Sequence, residues 1–352
     1  MDVDTNAVPA DVAEKINAFK DEAHAKRKKR KMSPSYVTID ALRGFGLFSR
    51  GERISSMFTS VALDPESHYD LALFGPEGGL NSVIYDLSTH EWKGQLSDEQ
   101  GDILDVEWYN RGPITAGSNG TISIWSPEGS IKFKLEAHQG PVVGIDLHPM
   151  GGYLASASRD GDWALHDLVN EKTVARFRDN AGSLISKSGL KIAFRCSDLH
   201  PDGHVYAMGC EDGSIHVYDM ITGQLNGTLG PHDGAVRSLH FSSNGYHLAE
   251  TSVLDSIVRI WDLRKASSVA FELQGSSVGG KVRWDQSGQF IALGGEQGVE
   301  IWAYQKKEKN FEKITAQPLE KTGVQCFEWG LDGKVIACGG LADGSIAVLG
   351  IK

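Results

Sequence analysis

The chain has 352 residues, and its 35 Lys and Arg against 46 Asp and Glu give a net charge of −11. Residues 1–31 hold eight basic and six acidic side chains, so the remainder holds 27 basic against 40 acidic, or −13. A body this acidic does not attract nucleic acid through its overall field, which favours protein partners instead.

The composition also limits the chemistry that the chain can carry. No apolar run approaches about 18 residues and no signal-peptide core is present, so we expect a soluble intracellular protein that does not bind membranes. The cysteines lack CxxC spacing, and neither a phosphate-binding glycine loop nor a nucleophile motif occurs. We therefore predict no metal, no cofactor and no catalytic residue, with the cysteines buried in strands. The four are Cys196, Cys210, Cys326 and Cys338.

The N-terminal part predicts a short helix between residues 9 and 31. Its apolar residues recur at helical spacing and form one stripe. The helix ends in a basic run at 26–31, which fits a nuclear-import or RNA-contacting patch as well as it fits a solvated helix end. The stripe consists of Val12, Ile16, Phe19 and Ala23.

A single strand is predicted within residues 36–48. The chain ends directly after the third strand of its last repeat, at 346–349, so that sheet lacks its fourth member. A strand from the other terminus commonly completes such a sheet and closes the ring.

The rest of the chain repeats. Each unit closes its third predicted strand with an aromatic or apolar residue, and these positions are spaced by 40, 41, 52, 43, 41 and 47 residues. This period indicates seven four-stranded units. The closing positions are Tyr85, Trp125, His166, Tyr218, Trp261, Trp302 and Leu349.

The unit at 231–265 carries the clearest motif. His232 precedes its first strand, Thr251 lies on the second, Asp255 in the tight turn and Trp261 on the third. These residue types at this spacing resemble a WD repeat, in which the His links the Asp to the Thr and the Thr reaches the Trp ring nitrogen. The resemblance implies a structural relay, because buried polar groups are tolerated when they are mutually hydrogen-bonded.

Two segments are longer than the repeat requires. They are the stretch between Phe177 and Arg195 and the lysine-rich stretch at 305–321. Long loops on a rigid scaffold often bind partners, although a tolerated surface insertion explains them equally well.

Longer runs resemble one particular WD-repeat family. The runs are HPMGGYLASASRDGDWALHDL (148–168), LHPDGHVYAMGCEDGSIHVYDM (199–220), FSSNGYHLAETSVLDSIVRIWDLRK (241–265) and WDQSGQFIALGGEQGVEIW (284–302). They are similar to the C-terminal region of the pre-mRNA-processing factor nineteen family of splicing-associated U-box ubiquitin ligases. The resemblance implies an all-β fold, a seven-bladed WD-repeat β-propeller over residues 36–352, preceded over residues 1–35 by a linker with the short helix and the basic run.

The same resemblance implies a function. The propeller would be the protein-docking module of a nuclear splicing scaffold, binding splicing-complex proteins and ubiquitination substrates. Members of the family begin with a U-box and a coiled coil that assembles oligomers, and neither pattern occurs in this chain, so we expect it to be a fragment or a shortened gene product. Two alternatives stay open: a ubiquitin ligase of splicing and DNA repair whose U-box lies outside this chain, and a WD-repeat scaffold of a signalling or chromatin complex.

We place the partner-binding site on the rim of the axial opening. In a propeller, the turns leading into the first strands and those joining the second and third strands share one face. The residue before each tight-turn acid points to that face, and exposed Arg and apolar side chains there are common interface residues. The alternative is that these are ordinary solvated turn residues. The predicted site is Ser118, Arg159, Glu211, Arg237 and Leu254.

Overall fold

The computed structural model describes most of the chain. The described ranges are 7–27, 37–43, 45–50, 57–65, 70–78, 81–178, 192–230, 232–265, 268–319, 323–330, 333–340 and 344–351. The basic residues at 28–31 and the stretch at 179–191 lie outside these ranges.

Seven antiparallel four-stranded sheets form a β-propeller, as the repeat predicts. We number the sheets as blades 1–7 in chain order. Blade 1 contains β2 (Phe58–Leu63), β3 (Leu71–Pro76), β4 (Ser82–Asp86) and β5 (Glu91–Leu96). Blade 2 contains β6 (Ile103–Tyr109), β7 (Gly112–Gly117), β8 (Thr121–Trp125) and β9 (Ile131–Glu136). Blade 3 contains β10 (Val142–Leu147), β11 (Tyr153–Ser158), β12 (Trp163–Asp167) and β13 (Lys172–Phe177).

The remaining blades follow the same order. Blade 4 contains β14 (Phe194–Leu199), β15 (Val205–Cys210), β16 (Ile215–Asp219) and β17 (Leu225–Leu229). Blade 5 contains β18 (Val236–Phe241), β19 (His247–Ser252), β20 (Ile257–Asp262) and β21 (Val269–Gln274). Blade 6 contains β22 (Lys281–Trp284), β23 (Phe290–Gly295), β24 (Gly298–Gln305) and β25 (Asn310–Gln317). Blade 7 contains β26 (Cys326–Trp329), β27 (Val335–Gly339), β28 (Ile346–Ile351) and, from the N-terminal side, β1 (Phe45–Arg50).

The ring closes as expected, because β1 pairs with β28 in antiparallel register, Phe45 facing Ile351 and Leu47 facing Leu349. Strand β1 begins near the end of the predicted segment at 36–48 and continues beyond it. The closing residue of each repeat lies in the third strand of its blade. Closure gives the seventh blade its fourth strand, so all seven sheets are complete.

The lysine-rich stretch at 305–321 is not the long loop that its spacing suggests. It contains the whole of β25, which pairs with β24 through seven residue pairs from Gln305↔Asn310 to Val299↔Gln317. A four-residue turn at 306–309 joins the two strands. The additional residues therefore lengthen the outer hairpin of blade 6, because alternating half-buried residues such as Phe311 keep the strand pattern going.

The N-terminal helix α1 (Ala10–Arg27) lies on the propeller. Three residues of its predicted apolar stripe, Val12, Ile16 and Ala23, are buried. Val12 and Ile16 join the core of blades 3 and 4, and the Phe19 ring meets the His148 ring edge-on at 5.6 Å. A second short helix, α2 (Ile39–Leu42), places Leu42 in the core between blades 6 and 7.

The cysteines behave as small strand residues. All four thiols are free, and all four lie in strands. Cys210, Cys326 and Cys338 are buried, whereas Cys196 is half-buried beside the axis. Burial raises the pKa of the Cys210 thiol to about 12, which keeps it protonated and unreactive.

Candidate functional site

The first strands of the blades lie next to one another around the axis. In blades 4 and 5 the pairing of the first strand shifts by one residue, between Phe194 and Cys196 and between Val236 and Ser238. The extra residue at each bulge is an arginine, Arg195 or Arg237. A bulge re-aims the side chain that it carries, and here both guanidinium groups line the same cavity.

This cavity is the axial mouth, a space of about 340 Å³ on the face that carries the turns between second and third strands, which we call the mouth face. Five cationic side chains line it against two acidic ones, Glu77 and Asp105. Both oxygens of Asp105 are already engaged, with Ser60 Oγ at 2.7 Å and Ile145 N at 2.9 Å. The mouth therefore carries a net positive charge, although the protein as a whole is acidic. The cations are Arg159, Arg195, Arg237, Lys281 and Arg283.

Two of the cations have neutral backbone carbonyls as partners, which leave their positive charge uncompensated. Arg237 Nε donates to Gly279 O at 3.2 Å, and Lys281 Nζ donates to Thr59 O at 2.7 Å. Burial lowers the pKa of the Lys281 ammonium to about 8, so it remains largely charged at neutral pH. An incoming carboxylate or phosphate would meet three guanidinium groups and an ammonium in partly desolvated surroundings, where charge-assisted hydrogen bonds are strongest.

Further along the propeller axis, most of the charged lining residues are acidic. A second cavity of about 280 Å³ is lined by carboxylates around the single guanidinium of Arg283, whose Nε lies 3.3 Å from Glu328 Oε2. Burial raises the pKa of Glu107 to about 8, and the negative charges of Asp105 and Asp146 add to this shift. Burial likewise raises the pKa of Asp146 to about 6. An anion is therefore accepted at the mouth and opposed further down the axis.

The predicted rim residues divide into two groups. Arg159 and Arg237 lie together in the mouth, as their positions suggested. Glu211 borders it, with Oε1 3.5 Å from Arg195 Nη1. Ser118 and Leu254 do not line this cavity: Ser118 Oγ accepts a bond from Asp102 N at 3.0 Å, and Leu254 is 66% exposed.

The relay predicted for blade 5 is wrong at Thr251, which was expected to bond to the Trp261 ring nitrogen. Thr251 Oγ1 donates to Gly280 O in blade 6 at 2.6 Å, and the buried ring nitrogen of Trp261 has no hydrogen-bond partner in the described part of the chain. Asp255 Oδ2 accepts from Arg259 at 2.7 Å. His232 packs edge-on against the Trp261 ring at 5.6 Å.

A one-residue difference in the tight turn explains the error. In blade 3 the closing residue His166 pairs with Leu154, twelve positions earlier, whereas in blade 5 Trp261 pairs with Leu248, thirteen positions earlier. Shifting a strand by one residue turns each side chain to the other face of the sheet. The relay position of blade 5 is consequently Glu250, whose Oε1 lies 3.1 Å from His232 Nε2.

Blade 3 contains the relay that blade 5 lacks. Ser156 Oγ bridges His138 Nε2 at 2.7 Å and His166 Nε2 at 2.8 Å, and His138 Nδ1 lies 3.6 Å from Asp160 Oδ2. Burial lowers the pKa of His166 to about 3, so it stays neutral and structural.

Blade 2 uses glutamine in place of the histidine. Thr115 Oγ1 donates to Gln100 Oε1 and accepts from Trp125 Nε1 at 3.0 Å. The histidine motif alone therefore misses this relay.

Within the described ranges, no group of three or more His, Cys, Asp or Glu is placed to hold a metal ion. Among the same residues, no helix has the length and apolarity needed to cross a membrane.

Comparison with known proteins agrees with this architecture. The family model "WD domain, G-beta repeat" matches residues 129–167, 190–219 and 223–262. The chain is 26% identical over 338 residues to "Pre-mRNA-processing factor 19 homolog 2" of Arabidopsis thaliana, covering 93% of this chain and 61% of that protein. It is 26% identical over 339 residues to "Pre-mRNA-processing factor 19" of Oryza sativa subsp. japonica, covering 93% and 62%.

The mouse protein of the same name is 32% identical over 218 residues, covering 61% of this chain and 42% of its own length. The chain thus spans about three-fifths of the length of its two plant relatives. These matches, together with the seven blades and the relays of blades 2 and 3, agree with the resemblance indicated by the four sequence runs. The chain is a seven-bladed WD-repeat propeller that resembles pre-mRNA-processing factor 19 along most of its length.

Proposed function

We propose that this chain is the protein-docking propeller of a nuclear splicing factor, and that its partners dock through acidic groups at the axial mouth. The observation that supports the proposal is the cluster of Arg159, Arg195, Arg237 and Lys281 around one cavity of about 340 Å³. A site of this size admits one or two side chains of a partner. The acidic surroundings discourage a long polyanion, which favours a protein ligand over nucleic acid.

The predicted rim residues complete this site. Glu211 holds Arg195 in place, while Ser118 and the exposed Leu254 surround the mouth and contact the partner beyond the inserted acid. Complementary charges at an interface fix the orientation of the partner and give specificity. We further propose that partners bound here are splicing-complex proteins and ubiquitination substrates, presented to a U-box that lies outside this chain.

The test is a double substitution, Arg159→Ala with Arg237→Ala, on the full chain. It should leave the melting temperature nearly unchanged, since neither residue belongs to a blade core, and should strongly reduce capture of splicing-complex proteins from nuclear extract, quantified by mass spectrometry. Lys172→Ala, an exposed cation on the outer strand of the same blade as Arg159, is the control. Leu254→Ala measures the rim contact separately.

Unchanged capture by a folded double variant would refute docking at the mouth. Capture of signalling or chromatin proteins in place of splicing proteins would favour the alternative of an unrelated WD-repeat scaffold.

A further inference from the structure

On the face opposite the mouth, which we call the hairpin face, a histidine bridges each of two seams between neighbouring blades. His148, at the turn between the first and second strands of blade 3, donates from Nε2 to Gly203 O of blade 4 at 3.0 Å. His200 makes the same bond to Gly245 O of blade 5 at 2.9 Å. The fit is close, since a Cβ on Gly203 would lie 2.1 Å from the His148 ring nitrogen.

Blade 5 lacks this histidine. Ser242 occupies the equivalent position, because its amide bonds to His247 O as the His148 amide bonds to Tyr153 O. The Ser242 hydroxyl donates to Asn244 Oδ1 at 2.7 Å, within its own turn. A groove of about 810 Å³ lies between blades 5 and 6 on this face.

Aromatic rings form the inner wall of this groove. Phe311 lies at the centre, with ring centroids 5.2 Å from Phe271, 5.2 Å from Tyr304 and 5.8 Å from Trp284. The Trp284 ring nitrogen is buried and has no hydrogen-bond partner among the described residues. Its counterparts in blades 2 and 7 are satisfied, Trp108 by Ala62 O at 3.0 Å and Trp329 by Arg283 O at 3.3 Å.

Cations form the outer edges. Lys306 and Lys309, on the turn between β24 and β25, line one side, and Arg264 and Lys265 line the other. The carboxylate of Asp262 is paired with the Arg264 guanidinium through two bonds of 2.8 Å. The groove is therefore net positive, although the chain carries −11.

The molecule itself shows what covers a seam on this face. Helix α1 lies over the seam between blades 3 and 4, where Val12 and Ile16 are buried among side chains of both blades. Val37 and Leu42 cover the seam between blades 6 and 7 in the same way. Apolar side chains of a separate segment thus pack into these seams.

We propose that the groove between blades 5 and 6 binds an acidic segment of a partner protein that places an apolar side chain on the Phe311 ring cluster. The apolar anchor fits the aromatic wall, and the acidic flanks fit Lys306 and Lys309. A nucleic acid fits less well, because the acidic body of the protein repels a long polyanion. This site lies on the face opposite the mouth, so the two docking proposals can be tested independently.

The test uses a fluorescein-labelled synthetic peptide in which a Phe-Leu pair is flanked on both sides by glutamates, with fluorescence polarisation as the readout. Wild-type chain should bind it, and replacing Phe-Leu by Ser-Ser should remove most of the affinity. Ala270→Trp, at an exposed position that lines the groove, should obstruct it and weaken binding at least about tenfold with an unchanged melting temperature.

Lys306→Glu should weaken binding comparably, whereas Lys307→Glu, in the same turn but outside the groove, should have little effect. The double substitution at the mouth should leave the peptide's affinity unchanged. The proposal is overturned by no binding up to about 1 mM peptide, by equal effects of the two lysine substitutions, or by preferential binding of a labelled oligouridine that Lys306→Glu abolishes.

Discussion

Glu250 offers the sharpest test of the revised relay in blade 5. Its side chain is fully buried, 3.1 Å from His232 Nε2 and 3.6 Å from Arg259 Nη1. Glutamine has nearly the same shape and cannot ionise. Glu250→Gln therefore removes the titration of this position and leaves the packing in place.

The magnitude follows from the pKa. Burial, partly opposed by the charge of Arg259, raises the pKa of the Glu250 carboxyl from 4.5 to about 8. Between these values the folded chain binds more protons than the unfolded chain, so the stability contributed by the group is complete below pH 4.5 and is lost as the pH rises through 8. The free energy of unfolding should fall by about 1.4 kcal/mol per pH unit within this window, and by up to about 5 kcal/mol across it.

The assay is urea unfolding followed by tryptophan fluorescence at several pH values between 5 and 8.5. The variant should gain stability relative to wild type steadily as the pH rises. Glu272→Gln is the matched control, because Glu272 also faces Arg259, at 3.7 Å, yet is exposed. A wild-type-to-variant difference that stays constant with pH would refute the assignment of a buried, largely protonated Glu250.

Two further predictions concern the scaffold. Ser156→Ala should lower the free energy of unfolding by about 2–4 kcal/mol, because the buried Nε2 atoms of His138 and His166 both lose the hydroxyl that they share; an unchanged urea midpoint would contradict the relay of blade 3. Ile16→Asp should release helix α1 while the propeller stays folded, so that amide hydrogen exchange rises in Ala10–Arg27 and stays the same in blades 5 and 6. Loss of protection in blades 5 and 6 together with the helix would show that the helix is integral to the ring.

The fold could be predicted because each blade repeats a local signal. The closing residues, the glycine turns and the period of the strands are all visible in the sequence, and closure by β1 follows from counting strands. The stretch at 305–321 was misread because its lysines and glutamates suggest a solvent-exposed loop. An outer strand with one exposed face has the same composition, and only the half-buried Phe311 and Ile314 mark it as paired.

The mouth was predicted only in part. Arg159 and Arg237 were found from their place beside turns, but Arg195, Lys281 and Arg283 were missed. Arg195 lies on a bulge, where the alternation of a strand no longer tells which way a side chain points. Its signal was the repetition of an arginine in the second position of two consecutive first strands, in FRCS and VRSL.

The additional turn residue of blade 5 explains both the exposed Leu254 and the altered relay of that blade. In blades 2, 3 and 4 the residue before the tight-turn acid donates its amide to the loop that leads into the first strand, as Arg159 does to Pro141 O. In blade 5 Val253 makes that bond, to Ala235 O, so Leu254 is the surplus residue and stands 66% exposed on the mouth face. The same insertion turns Thr251 away from Trp261 and brings Glu250 into the relay. Single exposed leucines are common on protein surfaces, so the contact proposed for Leu254 depends on its place on the mouth face, and a Leu254→Ala variant with unchanged capture of partners would exclude it.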